Sequence, residues 1–167
     1  MTTQVRVVRT VEWRRARDLR LRALADAPDA FGSTLERERA FGESEWLEWI
    51  TGWEGVENTH LVAIVDGIWV GMAVGSQADG DPVAHLYGMW VEPAVRGRGV
   101  GGRLVDGVIA WATSRGAAVL ELGVAEGNDV ARSLYEGRGF TDTGRRDPLR
   151  EGSRRSLLVL RRPLAAR

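Results

Sequence analysis

Val91-Glu92-Pro93-Ala94-Val95-Arg96-Gly97-Arg98-Gly99-Val100-Gly101-Gly102-Arg103-Leu104 is the stretch whose reading decides the fold. The apolar run Leu86 to Val91 leads into it, and Pro93 ends that run because proline has no N–H for a sheet ladder. Glycines crowd the next positions, at 97, 99, 101 and 102. Leu104, Val105, Val108, Ile109, Trp111 and Ala112 then recur at helical spacing. The order is strand, turn, glycine-rich loop, helix. The first turn of a helix carries N–H groups without intrahelical acceptors and the positive end of the helix dipole. Glycines there let a ligand approach the backbone, and a phosphate or pyrophosphate is the natural guest. Arg96, Arg98 and Arg103 would add positive charge around it. The plainer alternative is a glycine-rich turn that only starts a helix.

Two other phosphate motifs compete. Gly97-x-Gly99-x-x-Gly102 spells a dinucleotide fingerprint, with Glu121 at a distance suited to a ribose contact. That fingerprint needs its glycines directly after the strand, whereas Glu92 to Arg96 intervene, and too little chain follows for a doubly wound sheet. A nucleotide-dependent oxidoreductase is therefore the weaker alternative. A P-loop is excluded, since no Lys-Ser/Thr follows the glycines.

Arg96-Gly97-Arg98-Gly99-Val100-Gly101 fits Arg/Gln-x-x-Gly-x-Gly/Ala, the pyrophosphate loop of the GNAT superfamily of N-acetyltransferases. Asn128, followed by Ala131-Arg132-Ser133-Leu134-Tyr135-Glu136-Gly137-Arg138-Gly139-Phe140, resembles that family's Asn and LYExxGF segment, at the usual separation. The resemblance covers Leu61 to Leu160. It implies an α/β (α+β) three-layer fold, a mixed and mostly antiparallel sheet of about seven strands flanked by about four helices. It also implies acetyl-CoA as co-substrate, no metal, and transfer of the acetyl group to a primary amine by direct attack in a ternary complex. A non-catalytic acyl-CoA-binding sensor of the same fold is the second reading.

Bulk composition agrees. A chain of 167 residues suits a single domain, with 44% hydrophobic and 28% charged residues typical of a globular protein. Net charge is zero, which argues against nucleic acid or a membrane surface as the main partner. There is no cysteine, so disulfides, thiolate metal sites and Cys catalysis are excluded. Met1 to Arg9 lacks the apolar core of a signal peptide, which gives cytoplasmic as the expected location. Every basic residue other than the two histidines is arginine.

Along the chain, alternation predicts a strand at Gln4–Arg9, and Thr10 is the expected N-cap of a helix running to Ala27, with Trp13, Ala16, Leu19, Ala23 and Leu24 on its apolar face. Glu36 to Ala40 adds a helical turn, and Ser44 is expected to cap a helix carrying Trp46, Leu47, Trp49 and Ile50. His60–Val65 and Ile68–Gly75 read as strands joined by the hairpin signal Asp66-Gly67. Val83–Val91 is the central strand. The helix after the glycine loop ends at Gly116; Ala117–Val124 is a buried strand; Asn128 opens a further helix; Phe140–Arg146 and Arg154–Arg161 form a terminal pair.

Acetyl transfer requires a neutral nitrogen. For a lysine-like amine, deprotonation at pH 7 costs roughly 4.6 kcal/mol, and for an α-amine only about 1 kcal/mol. By resemblance His85 is the candidate base, at the position where serotonin-type members carry a His. Strand alternation puts His85, Tyr87, Met89 and Val91 on one face unless a bulge intervenes. Glu92 and Glu121 are alternative bases, and His60 is expected to be structural. Tyr135 is the candidate general acid for the departing thiolate. A phenol is a weaker acid than a thiol by roughly 2 kcal/mol when both are unperturbed, so a hydrogen bond or a coupled transfer is expected. The resemblance places the pantetheine arm along Met89, Trp90 and Val91, with a backbone N–H near Val91 as donor to the thioester oxygen. Gly97 through Gly102, with Arg96 and Arg98, would hold the diphosphate. Asn128 would bind pantetheine or cap its helix, and Arg132 and Ser133 would touch CoA phosphate or ribose. Phe31, His85 and Tyr87 would meet the acceptor, with Trp46 and Trp49 expected in the core or at a dimer contact. Antibiotic, polyamine, amino acid and protein N-terminus all stay open as acceptors, and exposed tryptophans would permit a homodimer.

Overall fold

The computed structural model describes residues 1–165. One open sheet organises it, in the order β1-β3-β4-β5-β6-β8-β7, with the two-residue β2 (Gly52–Trp53) paired to β3. The other strands are β1 (Thr3–Val7), β3 (Val56–Val65), β4 (Ile68–Ala78), β5 (Val83–Val91), β6 (Val119–Ala125), β7 (Thr141–Pro148) and β8 (Ser156–Pro163). Every pairing is antiparallel except β5 with β6. That arrangement removes the dinucleotide reading, which needs a parallel doubly wound sheet.

The helices are α1 (Trp13–Asp26), α2 (Leu35–Arg39), α3 (Glu43–Thr51), α4 (Val100–Ser114) and α5 (Asp129–Glu136). Apolar residues on both faces of the sheet give two cores and hence three layers. On one face Leu104, Val105, Val108 and Ala112 of α4 pack on Leu61, Ala63, Ala84 and Leu86. On the other, Ala16, Leu19 and Leu24 of α1 and Trp46 and Ile50 of α3 pack on Val62, Met72 and Trp90. Trp46 is fully buried and Trp49 meets it edge-on, so both belong to this layer and neither lines the cleft described below. No helix among the described residues is long and apolar enough to cross a membrane.

Two expected helix starts are corrected. Thr10 opens a 3-10 turn, and α1 begins at Trp13. The capping atom is the Glu12 carboxylate, which accepts from the Arg9 N–H at 3.0 Å and also holds Arg6 and Arg9, keeping its own pKa well below the usual carboxylate range. Likewise α3 starts from Gly42, not Ser44, because the Glu45 carboxylate reaches back to the Gly42 N–H at 2.9 Å. At the far end of α4, Gly116 (φ +78°) closes a Schellman motif, with its N–H on the Thr113 carbonyl and that of Ala117 on Ala112. β3 runs further than its apolar stretch, because Val56 to Thr59 find ladder partners in Ala78 to Gly75.

Candidate active site

The parallel pair β5 and β6 is in register only from Val83 opposite Val119 to Leu86 opposite Leu122. Beyond that point β5 continues beside β4 to Val91, and β6 continues beside β8 to Ala125. The two strands part and open a cleft of about 920 Å³. Leu86 to Val91 form one wall, and Gly123 to Ala125 with Asn128, Ser133 and Tyr135 form the other. The glycine loop closes one end, and Phe31, Gly32 and Leu149 close the opposite end.

A bulge in β5 sets which side chains face where. Met72 pairs with Trp90 but Val74 pairs with Tyr87, so β5 spends one extra residue, at Gly88-Met89, against Ala73. Gly88 sits at φ +63°, a conformation open to glycine and strained for other residues. The bulge resets the alternation. Met89 and Val91 pack toward α4 with Leu86, whereas Trp90 packs toward α1. Tyr87 stays in the row of His60 and Val74, and His85 in the row of Asn58 and Ser76. The expected common face for His85, Tyr87, Met89 and Val91 is therefore corrected: the first two face the α1 side and the last two the α4 side.

The loop after β5 presents bare amides. Among the described residues, no protein acceptor meets the N–H groups of Gly97, Arg98, Gly99, Val100, Gly101 and Gly102; the first bonded amide is Arg103, on the Gly99 carbonyl. Gly97 (φ +75°) and Gly99 (φ +81°) turn the chain through the left-handed region, and both line the cleft with Val100, Gly101 and Gly102. The arginines of the motif do not follow their glycines. Arg96 donates Nε to the Val91 carbonyl at 2.8 Å and Nη2 to Asp26 at 2.8 Å, and Asp26 also accepts from the Trp90 indole at 2.9 Å. Arg96 is a brace between loop, β5 and the end of α1. Arg98 and Arg103 reach away to Met1 and the Thr3 carbonyl, and neither lines the cleft.

Tyr135 is buried in the cleft wall, edge-on to Phe140 at 5.9 Å, and burial pushes its phenol pKa well above the ordinary value. Asn128 lines the cleft while its side chain accepts from the Ala131 N–H at 3.2 Å, so it caps α5. Ser133 lines the cleft; Arg132 lies outside it, paired with Glu136 and Asp142. Met89, Trp90, Val91 and the glycines at 97, 99, 101 and 102 all line it, as does Val100.

At the opposite end, Phe31 and Tyr87 line the cleft. The Tyr87 hydroxyl lies 3.5 Å from Asn58 Oδ1. His85 is exposed and stands just outside the lining. The alternative bases are committed elsewhere: Glu121 is buried under Arg145 and Arg161, and Glu92 pairs with Arg22. A polar cluster that sequence reading missed lies behind Phe31. Arg20 of α1, in the cleft lining, makes a two-pronged pair with Glu38 of α2 at 2.9 and 2.8 Å, and both are buried. His60 is buried beside Trp49 at 4.0 Å, and desolvation together with the Arg20 charge pushes its pKa down to about 3. A signal for Arg20 was present: it occupies the apolar stripe of α1 between Leu19 and Ala23, one turn on from Ala16.

The sequence profile of the Acetyltransferase (GNAT) family matches residues 17–140. The chain belongs to the GNAT family. It is by that membership an acyltransferase. The aminoglycoside N(6')-acetyltransferase type 1 of Salmonella typhimurium is 30% identical over 104 residues, covering 56% of this chain and 72% of that one. Among solved structures, a GCN5-related N-acetyltransferase from Kribbella flavida superposes with a TM-score of 0.76 at 25% identity, over 97% of this chain and 98% of the other. The structure of yncA from Salmonella typhimurium with its cofactor acetyl-CoA shares the fold, with a TM-score of 0.76 at 19% identity over 100% and 96% of the two chains. In this GNAT chain the profile match takes in the glycine loop, the bulged strand and Tyr135, and stops before Leu149.

Proposed function

We propose that this GNAT enzyme transfers an acetyl group from acetyl-CoA to a primary amine, with both bound at once. The observation that carries the reading is the run of unpartnered amides from Gly97 to Gly102, at one end of a cleft that leads past Tyr135. Six N–H donors at a helix start suit the oxygens of a diphosphate. The edge of β5 from Tyr87 to Val91, freed where β6 departs, suits the amides of a pantetheine arm, which would add to it like a strand. Acetyl-CoA supplies a thioester: the N–C bond forms as the C–S bond breaks, the amine gives up a proton and the thiolate takes one up.

The remaining roles fall to the chain's own groups. A backbone N–H of β5 near Val91 polarises the carbonyl. Tyr135 keeps its proton at neutral pH because burial raises its pKa. Full transfer to sulfur is then even further uphill than between unperturbed groups, so Tyr135 acts as a hydrogen-bond donor to the leaving sulfur. His85, two residues along β5 from the lining residue Tyr87, receives the amine's proton through water.

Release of free CoA, followed over a panel of amines, tests this. The wild type turns over with at least one primary amine. Tyr135→Phe lowers kcat by about 100-fold with acetyl-CoA binding intact. His85→Ala lowers kcat/KM for the best amine while acetyl-CoA binding stays intact. An enzyme that releases no CoA with any amine would end the transfer reading, and unchanged kinetics in both variants would end the two residue assignments.

A further inference from the structure

The cations that the phosphate loop advertises go elsewhere: Arg96 to Asp26 and the Val91 carbonyl, Arg98 and Arg103 toward Met1 and Thr3, and Arg132 to Glu136 and Asp142. One guanidinium does lie against the end of the bare amide run. Arg138, in the turn that follows α5 and three residues past Tyr135, donates Nε to the Gly102 carbonyl at 3.2 Å and to Asp106 Oδ1 at 2.9 Å, with Nη2 3.5 Å from Asp106 Oδ2. It fills the room that a side chain at position 102 would need. A β-carbon built on Gly102 would lie 1.9 Å from Nη2, 2.7 Å from Cζ and 3.2 Å from Nη1. Gly102 is helical, so what its missing side chain provides is this space and not an unusual φ. The same residue lines the cleft and carries the last of the unpartnered amides. A guanidinium is a planar three-way fork. Nε and Nη2 face Asp106, one turn further along α4, so Nη1 points away from it, back toward the helix start. Among the described residues Nη1 has no protein partner, and solvent reaches it, the side chain being 29% exposed.

We propose that Arg138 Nη1 donates to the diphosphate of CoA, beside the amides of Gly101 and Gly102, as the charged side chain in a grip otherwise made of backbone. The inference rests on the cosubstrate of the transferase reading and adds a residue to its hold. Amide dipoles alone would face a doubly charged group. A guanidinium brings a full positive charge and a charge-assisted hydrogen bond, about twice as strong as a neutral one. Asp106 holds the opposite edge, so the fork is set before the ligand arrives and loses little freedom on binding. That carboxylate also subtracts from the attraction. A phosphate contact should therefore gain when Asp106 is neutralised, whereas a guanidinium that only braces α4 to α5 should lose. CoA offers a second anionic group in its 3′-phosphate, but the diphosphate is the one that the amide run sets next to Gly102.

Calorimetry with CoA and 3′-dephospho-CoA needs no acceptor amine, and NMR titration reads the weaker ligand pantetheine. Arg138→Met should weaken CoA and 3′-dephospho-CoA alike, by about tenfold, and leave pantetheine unchanged. It should also flatten the fall of CoA affinity with added salt. Asp106→Asn should bind CoA as tightly as wild type or up to about fivefold tighter. Should Arg138→Met melt early, Asp106→Asn decides by the sign of its effect, since that side chain is 59% exposed. Weaker CoA binding in Asp106→Asn, a loss in Arg138→Met confined to CoA or shared by pantetheine, or no loss at all overturns the assignment. Wild type that binds no CoA overturns the cosubstrate and this inference with it. If CoA binds as described and no amine is acetylated, the transfer fails and the contact stands.

Discussion

At one end of the cleft the donors come from a single run of backbone, Gly97 to Gly102; at the other, Arg20, Phe31, Tyr87 and Leu149 arrive from α1, the loop after it, β5 and the loop between β7 and β8. The first end needs only a chain that turns through positive φ before a helix, and glycine spacing encodes that locally. The second needs four elements in mutual register. An end built locally can stay the same while the other is rebuilt piece by piece, which is how one cosubstrate chemistry serves different acceptors.

Substitutions at the two ends should separate accordingly. Arg20→Met has the largest expected effect, since it leaves the buried Glu38 carboxylate unpaired and costs about 3–5 kcal/mol. For a domain of this size that lowers Tm by roughly 6–20 °C, readable by calorimetry. The double Arg20→Met/Glu38→Leu variant should recover most of it. If the single variant melts like wild type, the pair does not hold the acceptor end together. Next comes Tyr135→Phe, with kcat down about 100-fold, or about 2.7 kcal/mol, and no change in Tm beyond a degree or two.

Gly99→Ala tests the local end. Its φ of +81° costs a β-carbon roughly 1–2 kcal/mol, and the displaced amides should raise KM for acetyl-CoA about tenfold while leaving acceptor preference alone. A change in acceptor preference instead would mean that the ends are not separable.

His60 tests the assembled end through pH. Its folded pKa, about 3, lies below the unfolded value near 6.5, so the unfolded chain binds the extra proton first. Stability from keeping His60 neutral is complete above pH 6.5 and falls by about 1.4 kcal/mol per unit as pH drops toward 3. Chemical denaturation at pH 6.5 and 5.5 should show that loss in wild type, and His60→Leu should flatten it. Smallest is Asp26→Asn, which weakens the half-exposed brace to Arg96 and Trp90; a cost of about 1 kcal/mol or less should raise KM for acetyl-CoA by no more than about fivefold.

The same contrast explains what the sequence disclosed. The loop, the Asn128 cap, the Asp66-Gly67 hairpin and the central strand were legible because each is a short-range pattern. The Gly88 bulge was not, since it exists only as a mismatch between β4 and β5. The starts of α1 and α3 were misplaced because Glu12 and Glu45 reach backward to bare amides, so the capping atom sits three residues after the amide it satisfies, Arg9 or Gly42, and not on the hydroxyl side chains of Thr10 and Ser44. Arg20 was visible as a charge in an apolar stripe, but Glu38, which satisfies it, lies eighteen residues on, in α2. Leu149 carried no local signal, because a loop leucine becomes part of a site only when its loop is latched over it.

The added residue in β5 has a further consequence. Strict alternation would hand all of that strand's odd positions to one layer. With a stagger halfway along, one ribbon serves two clients, offering Tyr87 to what lies beneath α1 and Met89 to what lies beneath α4. Strict pairing of every residue from Leu86 to Val91 would instead put Met89 and Val91 on the α1 side and Trp90 on the α4 side, so the spacing of this strand is as much a part of the catalyst as any side chain on it.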